Sequence, residues 1–365
     1  MDDMKPVSQG LSSGGFFETA LNSACIFRKP NCILPHAPPT SQPKPKQNTT
    51  MKKYAIGADI GGSHISCAAI DLEKKKIVKK SAAHEPVDNQ APADAILGAW
   101  AKALKKSIDA IGGATDLVGI GFAMPGPFNY ATGVAMFTDA VQKFQSLHKV
   151  NVSKRLAALL GLRAGAGCDF RYMNDATAFA VGEAWLGKAK NATRSVSITL
   201  GTGFGSAFVD KGAPVVKRAD VPKMGCVWHL PFKDGIADDS FSTRWFIKQY
   251  AAKTGAQVTG AKDIADKVAA GDAAAKAIFD EFGANLGNFL GPILKKFGAS
   301  TLVIGGNVAG AYKLFGGPLK ASLKAQKVPM TIHISALKED AALIGCARLF
   351  EKPFWTKVKP LLPLM

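Results

Sequence analysis

The sequence of 365 residues has few features of a membrane protein or of a disulfide-bonded protein. It contains no run of about 18 consecutive apolar residues, the length that favours a membrane-spanning helix. Its six cysteines are scattered and form no Cys-x-x-Cys pair, which argues against a disulfide framework and against a cysteine-rich zinc site. The cysteines are Cys25, Cys32, Cys67, Cys168, Cys226 and Cys346. We therefore expect reduced thiols, a cytoplasmic location and no membrane partner.

Acidic residues are scarce: 28 Asp and Glu residues stand against 46 Lys and Arg residues, which gives a net charge of +18. Such an excess raises the local concentration of anions, including nucleotides, polyphosphate, anionic lipid and nucleic acid. The sequence has no zinc-finger spacing, no RNP-type aromatic motif and no basic heptad zipper. We therefore interpret the charge as a lysine-rich, solvated surface and expect no nucleic-acid partner.

Residues 1–50 differ from the rest of the chain in composition. Their second half is rich in Pro, Thr and Lys and has no hydrophobic period, so it cannot bury enough apolar surface to offset its ordering entropy. The segment also lacks the basic start and apolar core of a signal peptide. We predict a disordered extension over residues 1–50 and a folded part that begins at residue 51.

Two segments of the folded part share one pattern: an apolar strand, a glycine turn, a small-residue strand and a closing Asp. The first segment, IGADIGGSHISCAAID, closes at Asp71, and the second, SVSITLGTGFGSAFVD, closes at Asp210. The two segments are about 139 residues apart, which indicates an internal duplication. Between them, apolar residues at helical spacing from Ile96 to Ile111 predict an amphipathic helix of about four turns.

Three glycine turns each follow a predicted buried strand. Glycine lets the backbone come within hydrogen-bond distance of a phosphate, where a Cβ would collide, and turn amides can neutralise the anion. The turns are neither Walker loops nor Rossmann motifs, and a purely structural role is the alternative for each. Two duplicated turns that face each other could hold a polyphosphate chain from both sides. The predicted phosphate-binding residues are Asp59, Gly61, Gly62, Ser63, Gly201, Thr202, Gly203, Gly305, Gly306 and Asn307.

Asp59 lies two residues before Gly61, at the start of the first glycine turn. A carboxylate beside a phosphate loop is repelled by the phosphates unless a cation lies between them. We predict that this cation is Mg²⁺ and that Asp59 reaches it through coordinated water. The alternative is an Asp that caps the hairpin.

Six segments of the folded part form one ordered set. They are DIGGSHISCAAID, AMPGPFNYATGV, MNDATAFAVGEAWLG, ITLGTGFGSAFV, LVIGGNV and DAALIGCA. This set resembles the sugar kinases of the ROK family, in the actin/hexokinase-like ATPase superfamily, over about residues 52–352. The resemblance implies a two-domain α/β fold, a duplicated ribonuclease H-like unit, with the active site in the interdomain cleft. We place the N-terminal domain at 51–173, the C-terminal domain at 174–352 and a tail at 353–365; the resemblance also implies a homodimer.

Asp175, in the segment MNDATA, lies just past a predicted strand end. Phosphorylation of a sugar hydroxyl needs a base near the acceptor oxygen, because an alcohol is a poor nucleophile at neutral pH. The resemblance assigns the role of general base to Asp175 and a sugar contact to Asn174. Taken without the resemblance, the alternative is a helix N-cap.

The segment GCVWHLPFKDGIADDSFSTRWF departs from the family pattern. By resemblance, His229 matches the family histidine and Asp238 matches a later sugar-binding carboxylate, whereas Cys226 replaces a sugar-binding glutamate. The zinc cysteines of the family are missing, and one cysteine with one histidine cannot fill a tetrahedral site, so we predict no structural zinc. A packed loop residue is the alternative for His229. Residues 142–144 fall loosely at a sugar-contacting loop of the family.

The leading hypothesis is a kinase that binds ATP, Mg²⁺ and a hexose and phosphorylates the 6-hydroxyl of glucose. Alternatives of the same fold use inorganic polyphosphate as the donor or an N-acetylhexosamine as the acceptor. A sugar-sensing repressor is a further alternative, but residues 1–50 show no helix-turn-helix pattern. A sugar-binding protein without activity is opposed by the intact Asp59 and Asp175.

Overall fold

Two β-sheets with helices packed on them organise the described part of the chain. The structure is a computed structural model that describes residues 53–138, 143–162 and 168–365. The predicted disordered extension lies outside the described residues.

The first sheet opens with the hairpin predicted from the sequence. β1 (Tyr54–Ile60) runs antiparallel to β2 (His64–Asp71), and parallel strands continue the sheet on the other side of β1. The remaining strands are β3 (Lys76–Ile77) and β4 (Ala83–Pro86), which pair with β2, and β5 (Leu117–Met124) and β8 (Asp169–Asn174), which follow β1. Between β5 and β8 lies a short hairpin of β6 (Phe128–Asn129) and β7 (Val134–Ala135).

The second sheet repeats this plan. β9 (Arg194–Leu200) and β10 (Phe204–Asp210) form the antiparallel hairpin, and parallel strands follow β9. The remaining strands are β11 (Ala213–Pro214), β14 (Thr301–Gly305) and β15 (Thr331–Ile334), and a separate hairpin is formed by β12 (Pro231–Phe232) and β13 (Gly235–Ile236).

The two opening hairpins match almost residue for residue. Tyr54 pairs with Asp71 in the first hairpin, and Arg194 pairs with Asp210 in the second. The innermost pair is Ile60 with Ile65 in the first hairpin and Leu200 with Phe204 in the second, so the second hairpin has one residue fewer between its innermost partners. The structure thus contains the repeated unit that the sequence pattern indicated.

Helices supply the other layers of the fold. In the first half these are α1 (Ala93–Ala110), α2 (Val152–Leu159) and α3 (Asp175–Trp185). In the second half they are α4 (Ala237–Ser240), α5 (Thr243–Thr254), α6 (Ala261–Ala269), α7 (Ala273–Phe297), α8 (Tyr312–Ala325), α9 (Asp340–Arg348) and α10 (Lys352–Val358). None of the helices in the described ranges is long and apolar enough to span a bilayer.

α3 and α9 join the two sheets. α3 packs on β9 and β10, α9 packs on β1 and β5, and the two helices pack against each other. Their approach depends on glycine, because a Cβ on Gly182 would lie 1.9 Å from the carbonyl oxygen of Ala341, and one on Gly345 would lie 1.9 Å from that of Ala178. The C-terminal part of the chain therefore packs into the hydrophobic core of the first sheet. This core contains Leu343 of α9 and Phe354 of α10. The domain boundaries inferred from the sequence remain predictions.

Candidate active site

The carboxyl ends of the parallel strands bring the predicted residues of the first half together. In the first sheet, Asp59 near the end of β1 pairs with Ala123 of β5, and Met124 at the end of β5 pairs with Asn174 of β8. Open α/β sheets bind their ligands at this edge. Asp59, the predicted metal-binding residue, and Asp175, the predicted base, therefore lie at the carboxyl ends of strands of the same sheet.

Asp175 is the first residue of α3, and Asn174 caps that helix. The Asn174 side chain accepts a hydrogen bond from the Thr177 amide at 3.1 Å. Oδ1 of Asp175 accepts hydrogen bonds from Asn174 Nδ2 at 2.9 Å and from the Ala176 amide at 2.7 Å. Burial raises the pKa of Asp175, while these bonds and the charge of Lys143 oppose the rise. The carboxylate is thus fixed in orientation and has an increased affinity for a proton, as a general base requires.

Asp59 is the second carboxylate of this edge. Burial raises its pKa from the ordinary value of 3.8 to about 7, and the negative charges of Asp175 and Glu339 add to the rise. A divalent cation would relieve this repulsion. No group of three or more His, Cys, Asp or Glu side chains in the described ranges is arranged to hold a metal ion. A cation at Asp59 would therefore need ligands from outside the described side chains, such as phosphate oxygens and water.

Hydrogen bonds with neighbouring residues fix the conformation of the first glycine turn. The Gly61 amide donates to the His64 carbonyl at 3.0 Å, and the Val87 amide donates to the Ser63 carbonyl at 2.8 Å. The side chain of Asn89 also donates to the carbonyl of Gly62. The hydroxyl of Ser63 is exposed and forms a hydrogen bond with Nδ1 of His64 at 3.2 Å.

The second glycine turn has open space where the phosphate prediction requires it. A Cβ on Gly201 would meet no atom within 4 Å, so this glycine is not required by packing. The carbonyl of Gly201 accepts hydrogen bonds from the Thr243 amide at 2.8 Å and from the Thr243 hydroxyl at 2.9 Å. The first turn of α5 therefore fixes this loop while one side of Gly201 stays accessible to a ligand.

The third glycine turn lies against the second. Gly306 has a φ of +80°, and a Cβ there would lie 2.4 Å from the carbonyl oxygen of Leu200, the residue before Gly201. A Cβ on Gly305 would lie 2.4 Å from the ring of Phe179 in α3. Asn307 begins a short 3₁₀ helix over Asn307–Ala311. Packing alone thus explains the glycines of the third turn, in contrast to Gly201.

Cys226 and His229 face each other in the predicted sugar-binding segment. The Cys226 Sγ lies 3.8 Å from His229 Nδ1. Burial raises the pKa of the Cys226 thiol to about 11, and burial together with the charge of Lys223 lowers the pKa of His229. At neutral pH the pair is therefore an uncharged thiol and an uncharged imidazole.

Tyr130 links this pair to the base. Its hydroxyl donates to the carbonyl of Met124 at 3.1 Å. Burial raises the pKa of Tyr130 above its usual range, and Asp175 and Cys226 both act on it electrostatically. The tyrosine is therefore neutral at physiological pH, and its hydroxyl lies within the electrostatic influence of both Asp175 and Cys226.

Asp238, for which the resemblance implied a sugar contact, has a protein partner for each of its two carboxylate oxygens. Its Oδ1 accepts a hydrogen bond from the Phe204 amide at 2.6 Å, and its Oδ2 accepts one from Arg244 at 2.6 Å. The neighbouring Asp239 accepts from the Ile236 amide at 3.1 Å. Asp238 therefore supports the second glycine turn, a role that the sequence did not predict.

Three further residues act on the predicted ones, and of these only Lys143 lies in a segment that the sequence had matched to the site, and loosely. The charge of Lys143 lowers the pKa of Asp175, and the charge of Glu339 raises the pKa of Asp59. Arg244 donates a hydrogen bond to Asp238. Of the loosely matched segment 142–144, residue 142 lies outside the described residues. Neither Glu339 nor Arg244 was singled out in the sequence, so only the tertiary structure reveals their contacts with the predicted residues.

Two sheets that each open with an antiparallel hairpin, joined by packed helices with the site at the strand ends, define the actin/hexokinase-like class of α/β folds. This confirms the predicted fold class. The model of the ROK family matches residues 55–353, and the chain belongs to that family.

Individual relatives are distant but match over nearly their whole length. A glucokinase from Thermotoga maritima is 24% identical over 327 residues, which cover 82% of this chain and 98% of the glucokinase. An N-acetyl-D-glucosamine kinase from Haemophilus influenzae is 25% identical over 323 residues, which cover 80% of this chain and 98% of that kinase. The crystal structure of a ROK family glucokinase from Streptomyces griseus in complex with glucose and AMPPNP has a TM-score of 0.63 at 21% identity. The match covers 81% of this chain and 98% of that glucokinase.

Proposed function

We propose that this protein is a sugar kinase that transfers the terminal phosphoryl group of ATP to a hydroxyl of a hexose, with the 6-hydroxyl of glucose as the leading acceptor. The observation that carries the proposal is the geometry of Asp175. This carboxylate is oriented by two hydrogen bonds to one oxygen, has a raised pKa and lies at the same sheet edge as Asp59. Both named relatives are kinases with sugar acceptors, which supports the same class of reaction.

The acceptor hydroxyl would be activated by Asp175. As the oxygen attacks phosphorus, Asp175 takes the hydroxyl proton, so that the nucleophile does not accumulate positive charge. Asn174 and His229 would hold neighbouring hydroxyls of the sugar, because each has a polar group near the base or near Cys226. The chain would thus orient the acceptor, and the carboxylate of Asp175 would hold the proton.

The donor phosphates would lie along the glycine turns, with main-chain amides as hydrogen-bond donors. Gly201 supports this placement, since its accessible side has room that a Cβ would take. Asp59 would orient the water shell of Mg²⁺, which neutralises charge on the transferred phosphoryl group when it is bound. Inorganic polyphosphate is the second candidate donor, supported by the net charge of +18.

Cys226 bears on the identity of the sugar. The neutral thiol makes weaker hydrogen bonds to hydroxyls than the glutamate that the family carries there, so sugar affinity or selectivity should differ from that of the relatives. Since those relatives include kinases of both glucose and N-acetyl-D-glucosamine, we keep N-acetylhexosamines as the second class of acceptor. We also propose a cytoplasmic homodimer, as the family resemblance implies.

A coupled assay of ADP release tests the proposal. Glucose, mannose, fructose, N-acetylglucosamine and N-acetylmannosamine are compared as acceptors, and ATP is compared with polyphosphate by direct detection of sugar phosphate. We expect glucose with ATP to give the highest kcat/KM. The absence of phosphorylation with every sugar and both donors would contradict the proposal.

A further inference from the structure

Arg244 lies in the first turn of α5, beside the second glycine turn. Its Nη1 donates to the carbonyl of Thr202 at 2.7 Å, and its Nη2 donates to Asp238 Oδ2 at 2.6 Å. These bonds use two of the five N–H donors of the guanidinium. The side chain nevertheless stays 56% exposed, so the cation is held in place while a large part of it remains accessible.

Asp238 and Arg244 bracket the turn from its two sides. Asp238 Oδ1 accepts from the amide of Phe204, just after Gly203, whereas Arg244 donates to Thr202, just before it. A Cβ on Gly203 would lie 3.2 Å from Asp238 Oδ1. The carboxylate therefore supports the turn directly and also orients the guanidinium.

The first turn of α5 adds a third point of attachment. The amide and hydroxyl of Thr243 both donate to the carbonyl of Gly201. The positive end of the helix dipole therefore lies beside the turn and favours negative charge there. Because Arg244 is already ordered by two bonds, a bound anion would cost less side-chain entropy than it would with a free surface arginine.

We propose that Arg244 binds the phosphate chain of the donor at the second glycine turn, and that Asp238 is a positioning residue that orients Arg244. The proposal rests on the proposed kinase function and assigns a donor-side role to two residues. A guanidinium forms charge-assisted hydrogen bonds with phosphate oxygens and presents several donors in one plane. The remaining N–H groups of Arg244 supply these bonds, and the accessible side of Gly201 supplies the room.

The test compares wild-type protein with Arg244→Gln, Arg244→Lys and Asp238→Asn. Lys248→Gln is the matched control, because Lys248 is an exposed cation one helical turn further along α5. For each protein we would measure KM for donor and sugar, and the Kd of a non-hydrolysable ATP analogue. The last measurement does not depend on turnover.

We expect Arg244→Gln to raise the donor KM and the analogue Kd by about tenfold or more, the usual effect of losing a charge-assisted bond. The sugar KM should stay within about twofold. Arg244→Lys should recover part of the loss, and Asp238→Asn should raise the donor KM less than Arg244→Gln. Lys248→Gln should change neither constant.

Three outcomes would overturn the proposal. The first is an unchanged analogue Kd in folded Arg244→Gln, and the second is an equal rise in Lys248→Gln, which would indicate a general effect of charge. The third is a rise of only the sugar KM in Asp238→Asn. If Arg244→Gln fails to fold, the analogue Kd of Arg244→Lys decides, because this variant keeps the charge and loses the planar group. An unchanged Kd in Arg244→Lys would then overturn the proposal. If wild-type protein phosphorylates no sugar, the kinase proposal fails, while analogue binding still tests Arg244.

Discussion

The donor side and the acceptor side of the proposed site are built in different ways. The donor side is built around main-chain turns at strand ends, to which Asp59 and Arg244 add single side chains, and two of these turns belong to the repeated hairpins. The acceptor side consists of single side chains, among them Asp175, Tyr130, Cys226 and His229, from separate segments. A backbone turn is fixed by local sequence, whereas a side chain can be replaced while the fold is kept. This explains why the donor turns follow the family pattern and the acceptor segment departs from it.

The replacement Asp175→Asn is expected to give the largest effect. Asn keeps the oxygen that accepts from Asn174 and Ala176, but it cannot take the proton of a sugar hydroxyl. General-base catalysis contributes about 10²–10⁴-fold, so kcat should fall by that factor while sugar affinity changes little. Steady-state kinetics and sugar binding measured in parallel check this.

The control for this prediction is Asp263→Asn, which changes another first-turn Asp, in α6. If Asp175 were merely a helix cap, Asn would serve almost as well. Retention of more than about a tenth of wild-type turnover would therefore contradict the assignment of Asp175 as the base.

Asp59→Asn tests the donor side. Because we propose that Asp59 acts on Mg²⁺ through water, its loss should lower kcat/KM for the donor by about 10–100-fold, as for other outer-shell ligands. A titration of activity with Mg²⁺ should show a raised requirement for the metal, while the Kd of the sugar is unchanged. An unaltered Mg²⁺ requirement would show that Asp59 caps the hairpin only.

The same replacement should change the pH dependence of stability in metal-free buffer. The folded-state pKa of about 7 lies above the ordinary 3.8, so the stabilising contribution of protonated Asp59 is lost as the pH rises through 7. Asp59→Asn should therefore stabilise the protein by about 2 kcal/mol more at pH 8 than at pH 5. Denaturant unfolding at both pH values measures this difference, and an equal effect at the two pH values would contradict it.

Cys226→Glu probes the acceptor side with a smaller expected effect. A carboxylate there would form a charge-assisted hydrogen bond to a sugar hydroxyl, so KM for the preferred sugar should fall about tenfold. Cys226→Ser, a neutral replacement of similar size, is the control and should change KM little. If Cys226→Glu improves no sugar in the acceptor panel, residue 226 does not contact the sugar.

No effect at all is expected from the removal of zinc. A zinc-selective chelator should leave kcat and Tm unchanged, whereas removal of Mg²⁺ with EDTA should stop turnover. The physical reason is the absence from the sequence of the cysteine set that a tetrahedral zinc site needs. Stoichiometric zinc in the purified protein, with unfolding on its removal, would contradict this prediction.

Features that depend on neighbouring residues were predictable from the sequence alone. The apolar strands, the glycine turns and the closing residues Asp71 and Asp210 were predictable, because strand periodicity and turn chemistry act over a few residues. The placement of Asp59 and Asp175 at strand ends was predictable for the same reason. The roles proposed for them also needed the family resemblance.

Features that depend on contacts between distant parts of the chain became visible only in the folded structure. α9 crosses α3 at Gly345 and returns to the first sheet, although it follows the second sheet in sequence. Asp238 accepts a hydrogen bond from Phe204, 34 residues away in sequence, and Arg244 donates one to Thr202, 42 residues away. Such contacts form because the packing of two sheets and their helices brings together polar groups that are far apart in sequence, and the amide of the buried residue Phe204 then needs a partner. No local pattern records which partner that will be.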